Sequence, residues 1–293
     1  MSGMIEVLQP GFGTTIQDRG RRGHRHEGIP QSGWLDASLA AAANALVGNQ
    51  GSEAVLELRG MGTELRVQTG PVRLALAGAI AAKWLRADGK HITLPAWQSA
   101  TLQVGDRLQL GTAESGCAYL AIAGGYRLPQ QLGSRSSYWR AGLQGVQGRA
   151  LRPGDLLPCG GWNSPDPRES RSATPWTLPD GPIRVILGPQ QDHFGPEAIA
   201  TLRGQDWETT PEQDRMGMRL RGSALSHVDA AAADIVSDAV TPGAIQVPAN
   251  GLPIVLLAEP NQDHDRIEAA APAAATVLDK PFTKQKLVQM IAA

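Results

Sequence analysis

Between Ala54 and Gly124 the chain is a series of short apolar segments, each closed by glycine or by a two-residue turn: AVLEL, ELRVQ, VRLALAG, HITLPAW, ATLQVGDRLQL and CAYLAIAG. Val72, Leu74 and Leu76 alternate with their neighbours, and so do Leu102, Val104, Leu108 and Leu110 around a break at Gly105-Asp106. A period of two places every second side chain on one face of a strand. Asp88-Gly89 supplies a second turn, and an earlier strand, Ile5 to Leu8, stops at Pro10-Gly11. Several short strands at regular spacing predict a mainly β fold, a barrel or a sandwich. The 34 glycines and 21 prolines among 293 residues suit that many turns.

Hydrophobic residues make up 42% of the chain and charged residues 19%, enough for a sizeable core. Lys and Arg number 27 against 28 Asp and Glu, so net charge is -1. Such a chain has no broad electrostatic reason to bind nucleic acid or anionic lipid. Cys117 and Cys159 lack CxxC spacing and a nearby histidine, which argues against zinc and against a disulfide framework. A reducing compartment fits. Met1 to Pro10 lacks a signal-peptide pattern, and no apolar run approaches the roughly 20 residues a bilayer requires. The expectation is a cytoplasmic protein without a metal, nucleic acid or membrane partner.

One helix stands out. Asp36 reads as an N-cap before ASLAAAANALVG, with a stop at Gly48. Asn44 in its middle is a mediocre helix former, which gives its side chain either a specific hydrogen-bonding task or a place facing solvent. A second, short helix is expected around Pro196 to Leu202, and a closing one over Thr283 to Ile291. Strands are expected at IRVILG, MGMRL, AIQVP and PIVLLA. GPVRLALAG at Gly70 is echoed by GPIRVILGP at Gly181, and VGDRLQL by RPGDLLP, which suggests two related halves. Gly160 to Asp180 is rich in Pro and Ser and reads as a boundary. The division is an N-terminal half over 1–165, a linker over 166–180, a C-terminal half over 181–260 and a tail over 261–293.

Thr14 to Gly33 is a glycine-punctuated polar segment, longer than the roughly 12–15 residues of an ordinary loop. Gln17, Asp18 and Arg21 within it can fix a small amide or carboxylate, because Arg offers a planar fork and Gln and Asp bind an amide edge. The alternative is that Asp18 and Arg21 pair with each other. Ser134, Arg135 and Ser136, in a glycine-flanked loop, could hold a carboxylate or phosphate, or be a solvated turn. Gln246 alternates with Ile245 and Val247 and could point into a pocket. His193 is a possible acid/base or a structural histidine. Asp214 and Arg215 are a possible site pair or a local ion pair. No nucleophile elbow, Walker A loop or biotin-attachment Met-Lys-Met occurs, and Gly124-Gly125 is too short for a phosphate loop.

These residues also carry a resemblance. Thr15, Gln17, Asp18, Gly20, Arg21 and Gly23 fit T-x-Q-D-x-G-R-x-G, and Gly28 to Asp36 fits G-[IV]-P-x-S-G-x-x-D. Asn44 to Asn49 and Glu57 follow, then Ala121 to Asp155, GPQQDHF, DRMGMRLRG and SDAVTPGAIQVPANGLPIVLLA. In order, over about Met4 to Ala258, they resemble the family of the bacterial 5-oxoprolinase C subunit, also called biotin-dependent carboxyltransferase or allophanate hydrolase subunit 2, which includes KipA. The resemblance implies two cyclophilin-like β-barrel halves. It implies one component of an ATP-dependent 5-oxoprolinase that opens 5-oxoproline to glutamate together with a KipI-like partner and a LamB/YcsF-like partner. Two alternatives go with it: a biotin-dependent carboxyltransferase acting on urea or a related amide, or a non-catalytic antagonist of a KipI-like kinase inhibitor. ATP would sit on a partner or a shared interface, and biotin would not be attached to this chain. From the residue chemistry, the expected catalytic residues are Gln17, Asp18 and Arg21. Ser32, Asp36, Asn44, Ser134, Arg135, Ser136 and Gln246 are expected to bind a small cyclic amide or urea-like substrate. After Ala258 the family's D-R-x-T-x-G-G-Y-P is missing, and VLDKPFTKQKLVQMI instead looks like the end of a response regulator.

Overall fold

The alternating segments form strands and the Ala/Leu run forms a helix. A computed structural model describes residues 2–114, 116–143, 145–161, 170–172, 183–210, 212, 215–235, 242–257 and 290–292. The chain divides into one unit of Met1–His26 with Gln31–Thr177 and a second of Glu27–Pro30 with Leu178–Ala293.

The first unit runs β1 (Gly3–Pro10), β2 (Thr15–Gln17), α1 (Ala37–Leu46), β3 (Val55–Leu58), β4 (Thr63–Thr69), β5 (Val72–Ala77), β6 (Ala81–Leu85), β7 (His91–Pro95), β8 (Ser99–Leu102), β9 (Arg107–Leu110), β10 (Ala118–Ile122) and β11 (Leu156–Cys159). Its strands build two open antiparallel sheets, in the orders β11-β1-β4-β9-β6-β7 and β2-β3-β10-β5-β8. The mainly β reading holds. Among the described residues the pairing gives open sheets and records no closed ring.

One core draws on both sheets, including Ile5, Val7, Leu65 and Leu108 from the first and Leu56, Leu74, Leu76 and Leu120 from the second. Each such side chain, fully buried, contributes about 1.5–3 kcal/mol. β5 is buried at every position because its two faces pack against different things. Val72, Leu74 and Leu76 join that core, while Ala75 and Ala77 join a second cluster with Leu39, Ala40, Ala43 and Leu46 of α1. Tyr119 and Ala121 of β10 do the same. Alanines under the helix let it lie close to the sheet.

The helix is fastened at both ends. Asp36 caps it, its Oδ1 accepting from the Leu39 amide at 2.9 Å. The Asp36 amide donates to Tyr119 Oη at 2.8 Å, and Tyr119 in turn donates to Glu57 Oε2 at 2.9 Å. Asn44 is fully buried, which decides between its two readings in favour of a hydrogen-bonding task, and that task is within the scaffold. Its Nδ2 donates to the carbonyls of Gly51 (3.4 Å) and Glu53 (2.9 Å), and its Oδ1 accepts from Asn49 Nδ2 at 2.9 Å. Asn49 then binds the carbonyl of Ile122 and the amide of Gly124 at the end of β10.

The echo between VGDRLQL and RPGDLLP proves to be one turn used twice within the first unit. Gly105 and Gly154 both take left-handed φ, +86° and +87°. Each donates its amide to a valine carbonyl, Val67 or Val7, whose own amide donates to the carbonyl of the following Asp106 or Asp155. Asp106 and Asp155 carboxylates also each accept an amide three residues back, at Gln103 and Arg152. The echo reports local turn chemistry and carries no weight for two related halves.

The second unit holds β12 (Ile183–Val185), α2 (Pro196–Gly204), β13 (Glu208–Thr209), β14 (Gly217–Arg221), β15 (Ile245–Gln246), β16 (Ile254–Leu256) and β17 (Met290–Ala292). Four strands form an antiparallel sheet in the order β13-β14-β16-β15, and β12 pairs in parallel with β17. Trp207, Met218, Leu220, Val255 and the α2 residues Ala198 and Leu202 make its core. The α2 helix falls where expected. The helix expected over Thr283–Ile291 lies outside the described residues except at its end, where Met290 and Ile291 are strand. Of the expected linker, Ser170 to Ser172 are described, and they run along the β8 edge: Ser99 donates its amide to Ser170 O at 2.7 Å, and Ser172 donates to Trp97 O at 2.8 Å.

Replacing Asn44 by alanine removes the side-chain donor from two carbonyls and one of the two acceptors of Asn49 Nδ2. We expect Asn44→Ala to lower the free energy of unfolding by on the order of 3 kcal/mol in urea melts. An unchanged midpoint would remove Asn44 from the scaffold.

Candidate functional site

β2 delivers the polar loop to the site. Thr15, Ile16 and Gln17 pair with Glu57, Leu56 and Val55 of β3, which buries Gln17 completely. Past Gln17 the chain runs beside its own return segment. The Arg21 amide donates to Gln31 O at 2.7 Å, and the Trp34 amide to Asp18 O at 3.1 Å. The approach is so close that a Cβ on Gly20 would lie 2.6 Å from Gln31 O and 2.8 Å from Ser32 O. With φ at +83°, that position takes glycine for both reasons. Ser32 opposite it holds φ +58°, uncommon for a residue with a side chain.

A third segment, Ser134 to Ser137, docks on this pair through Asp18. Ser134 Oγ and Ser136 Oγ donate to Asp18 Oδ1 at 2.6 and 2.7 Å, and the Gly20 amide donates to the same oxygen at 2.9 Å. The Arg135 amide donates to Asp18 Oδ2 at 2.6 Å. Asp18 is 4% exposed, and its carboxylate is spent on holding the loop. Gln17 is spent likewise: its Nε2 donates to Thr15 Oγ1 (3.0 Å) and Ser137 O (3.3 Å), and its Oε1 accepts from the Gly33 amide (3.2 Å).

Arg21 differs. It is fully buried, and its Nη2 donates to the Ser136 carbonyl. Its Nε and Nη1 meet no acceptor. Asp18 and Arg21 form no direct ion pair, since the Asp18 oxygens are taken by the serines and amides. Burial pushes the Arg21 guanidinium below its ordinary pKa, and the nearby Asp18 charge works against that shift. Ser32 Oγ and Trp34 Nε1, both buried atoms, also lack partners.

Gln17, Asp18, Arg21, Ser32, Ser134, Arg135 and Ser136 therefore come together. Asp36 and Asn44 serve α1. His193, Arg215 and Gln246 lie in the second unit. His193 Nδ1 lies 2.8 Å from Ala232 O, and Gln246 is exposed while Ile245 and Val247 pack on the core. Asp214 lies outside the described residues. Trp34 was not singled out from the sequence. Its signal, an aromatic with a donor two residues after a conformationally demanding Ser, is legible only once Ser32 is known to be left-handed.

Burial and the Glu57 and Asp36 charges push the Cys117 thiol up, and burial raises Cys159 to about 12, so neither is a ready nucleophile. Among the described residues no group of three or more His, Cys, Asp or Glu could hold a metal, and no helix is long and apolar enough to cross a membrane. A Cβ on Gly125 would lie 2.5 Å from Glu53 Oε2, so the Gly124-Gly125 pair packs against an acid, the wrong sign for a phosphate.

Residues 27–263 match the family model described as carboxyltransferase domain, subdomain A and B. The chain belongs to this carboxyltransferase family. It is 33% identical over 256 residues to the 5-oxoprolinase C subunit of Escherichia coli, covering 87% of this chain and 79% of that protein. The C subunit of the Haemophilus influenzae 5-oxoprolinase is 31% identical, covering 87% and 80%. A urea amidolyase of Lachancea kluyveri is 34% identical over 239 residues, 74% of this chain but 12% of that protein. Among solved structures, TTHA0988 matches with TM-score 0.70 and 30% identity over 87% of this chain and 49% of that one, so the chain spans about half of that protein. The urea amidolyase of K. lactis matches with TM-score 0.69 and 26% identity over 87% of this chain and 16% of that one.

The site's integrity should depend on Asp18. We expect Asp18→Ala to cost on the order of 3 kcal/mol, because it strands two buried hydroxyls and two amides at once. Thermal melting of the two proteins side by side measures this, and equal melting temperatures would contradict the lock.

Proposed function

We propose that this carboxyltransferase-family chain is the C subunit of an ATP-dependent 5-oxoprolinase, which opens 5-oxoproline to glutamate as a three-part complex. The observation that carries the reading is the extent of the matches. Two proteins named as that subunit are matched over 79% and 80% of their length, whereas the urea amidolyase is matched over 12% of its own. The companions are a KipI-like protein and a LamB/YcsF-like protein, in the cytoplasm. ATP belongs on a partner or a shared surface, consistent with the acid packed against Gly125. This chain's part is to bind and orient the small cyclic amide with the loop that Asp18 fixes and Arg21 charges. The residue that transfers the proton to the leaving ring nitrogen is assigned to none of Gln17, Asp18 or Arg21, since the first two are engaged within the loop and a guanidinium is too weak an acid. The sequence boundary near 166–180 is read as the division between two functional halves.

The family model's own description favours a second reading, a carboxyltransferase acting on urea or a related amide with carboxybiotin brought by another protein.

Purified chain alone should release no glutamate from 5-oxoproline and ATP, while the co-expressed three-part preparation should, with avidin having no effect. A preparation inert toward 5-oxoproline, yet able to carboxylate urea with a biotinylated partner and blocked by avidin, would establish the second reading.

A further inference from the structure

Four polar atoms in the loop and its return segment are buried without a hydrogen-bond partner: Arg21 Nε, Arg21 Nη1, Ser32 Oγ and Trp34 Nε1. Native proteins leave few such groups, and each calls for an explanation such as a bound ion or ligand. These four are on two segments paired backbone to backbone, through Arg21 N to Gln31 O and Trp34 N to Asp18 O.

Their chemistry is one-sided. Arg and Trp side chains can only donate, and a serine hydroxyl can donate as well as accept. Gln17 and Asp18 supply no free acceptor, since both are used within the loop. What complements such a set is a group with several lone pairs and no need to donate.

The geometry of the guanidinium narrows this further. Arginine presents two forks, Nη1 with Nη2 at its end and Nε with Nη2 along its side. Nη2 places one hydrogen in each. The Ser136 carbonyl takes one of them. Whichever it takes, the other fork stays complete, because Nε and Nη1 are both unused. An intact fork matches two coplanar oxygens on one carbon. The positive charge, buried and met only by the indirect influence of Asp18, favours an anion there.

We propose that Arg21, Ser32 and Trp34 form a receptor for one planar carboxyl group of a small ligand, Arg21 by its open fork and the other two by single hydrogen bonds. The proposal deepens the 5-oxoprolinase reading and rests on it only for the identity of the acid. Two sources share the chemistry: the carboxylate of 5-oxoproline, or a one-carbon carboxyl such as bicarbonate. The left-handed Ser32 fits the role, because strain in the backbone is retained where a side chain must be aimed.

The test is calorimetric titration of the full chain, and of the co-expressed complex, with 5-oxoproline, with its neutral analogue 2-pyrrolidinone, and with bicarbonate. Either 5-oxoproline or bicarbonate should bind, and 2-pyrrolidinone should not. Binding of 5-oxoproline alone identifies the substrate carboxylate, and binding of bicarbonate identifies the one-carbon source. Arg21→Lys, which keeps the charge but not the fork, should weaken binding by about 100-fold. Ser32→Gly and Trp34→Phe should each weaken it about tenfold, the scale of one hydrogen bond to a charged group. Ser32→Gly suits the left-handed backbone and Trp34→Phe keeps the ring, so both should fold even if the arginine variant does not. Unchanged affinity in any of the three, equal binding of the neutral lactam, or no binding of either acid overturns the receptor. A complex that turns over 5-oxoproline while the variants bind normally would sink the receptor and leave the function. Variant-sensitive bicarbonate binding in an inert complex would do the reverse.

Discussion

The Asp18 carboxylate is the point on which the site is built. It lies in a loop whose one regular element after β2, among the described residues, is a 3-10 turn at Arg25–Glu27, and ordering such a loop costs about 1–2 kcal/mol of backbone entropy per residue. Asp18 offsets that cost by joining three segments, accepting from Gly20 in its own, and from Ser134, Arg135 and Ser136 in a distant one. Its backbone carbonyl accepts from Trp34 in the return segment. Hydrogen bonds to an ionised, buried acceptor are roughly twice as strong as neutral ones. The serines and amides give a carboxylate four donors without placing a cation against it.

The fold brings that knot to the edge of a rigid platform. β2 is the outer strand of its sheet, and the loop leaves directly from its end. Behind it, β3, β10 and β5 are packed on both faces, by the opposite sheet and by α1. The polar residues inside that helix layer do structural work. Glu57 Oε2 accepts from Tyr119 Oη and from the amide of Leu35, so the chain leaving the return segment is pinned just before the helix starts. The position of Trp34 is thus set from both sides, by Asp18 before it and by Glu57 after it.

Much of the scaffold was legible because its signals are local. Alternation at Val72, Leu74 and Leu76 needs no partner to be read, and neither does the cap at Asp36. The task of Asn44 was legible only as one of two readings, because an amide inside a helix competes with the backbone unless it is engaged elsewhere or turned to solvent, and its partners are structural. The division of labour within Gln17, Asp18 and Arg21 was not legible. It is decided by Ser134 to Ser136, some 115–118 positions away along the chain, and a motif in sequence cannot report which of its donors and acceptors a remote segment has consumed. The second echo has a local origin: its two turns, both in the first unit, share Gly-Asp because the left-handed glycine and the amide-accepting Asp are local requirements, whatever the larger symmetry.

That division also explains why an arginine can be both buried and available. Had Asp18 bonded Arg21 directly, the pair would be a closed salt bridge with every fork occupied, and the loop would be stable and inert. Because neutral donors satisfy Asp18, its charge is felt by Arg21 without using an Arg21 hydrogen. In a medium of low effective dielectric a charge a few ångströms beyond contact distance still supplies appreciable stabilisation. Burial still lowers the guanidinium's pKa, and the Asp18 carboxylate opposes that shift without competing for its fork. The cost is four polar atoms without a protein partner, three of which a carboxyl seated in the open fork and bonded by Ser32 and Trp34 would engage.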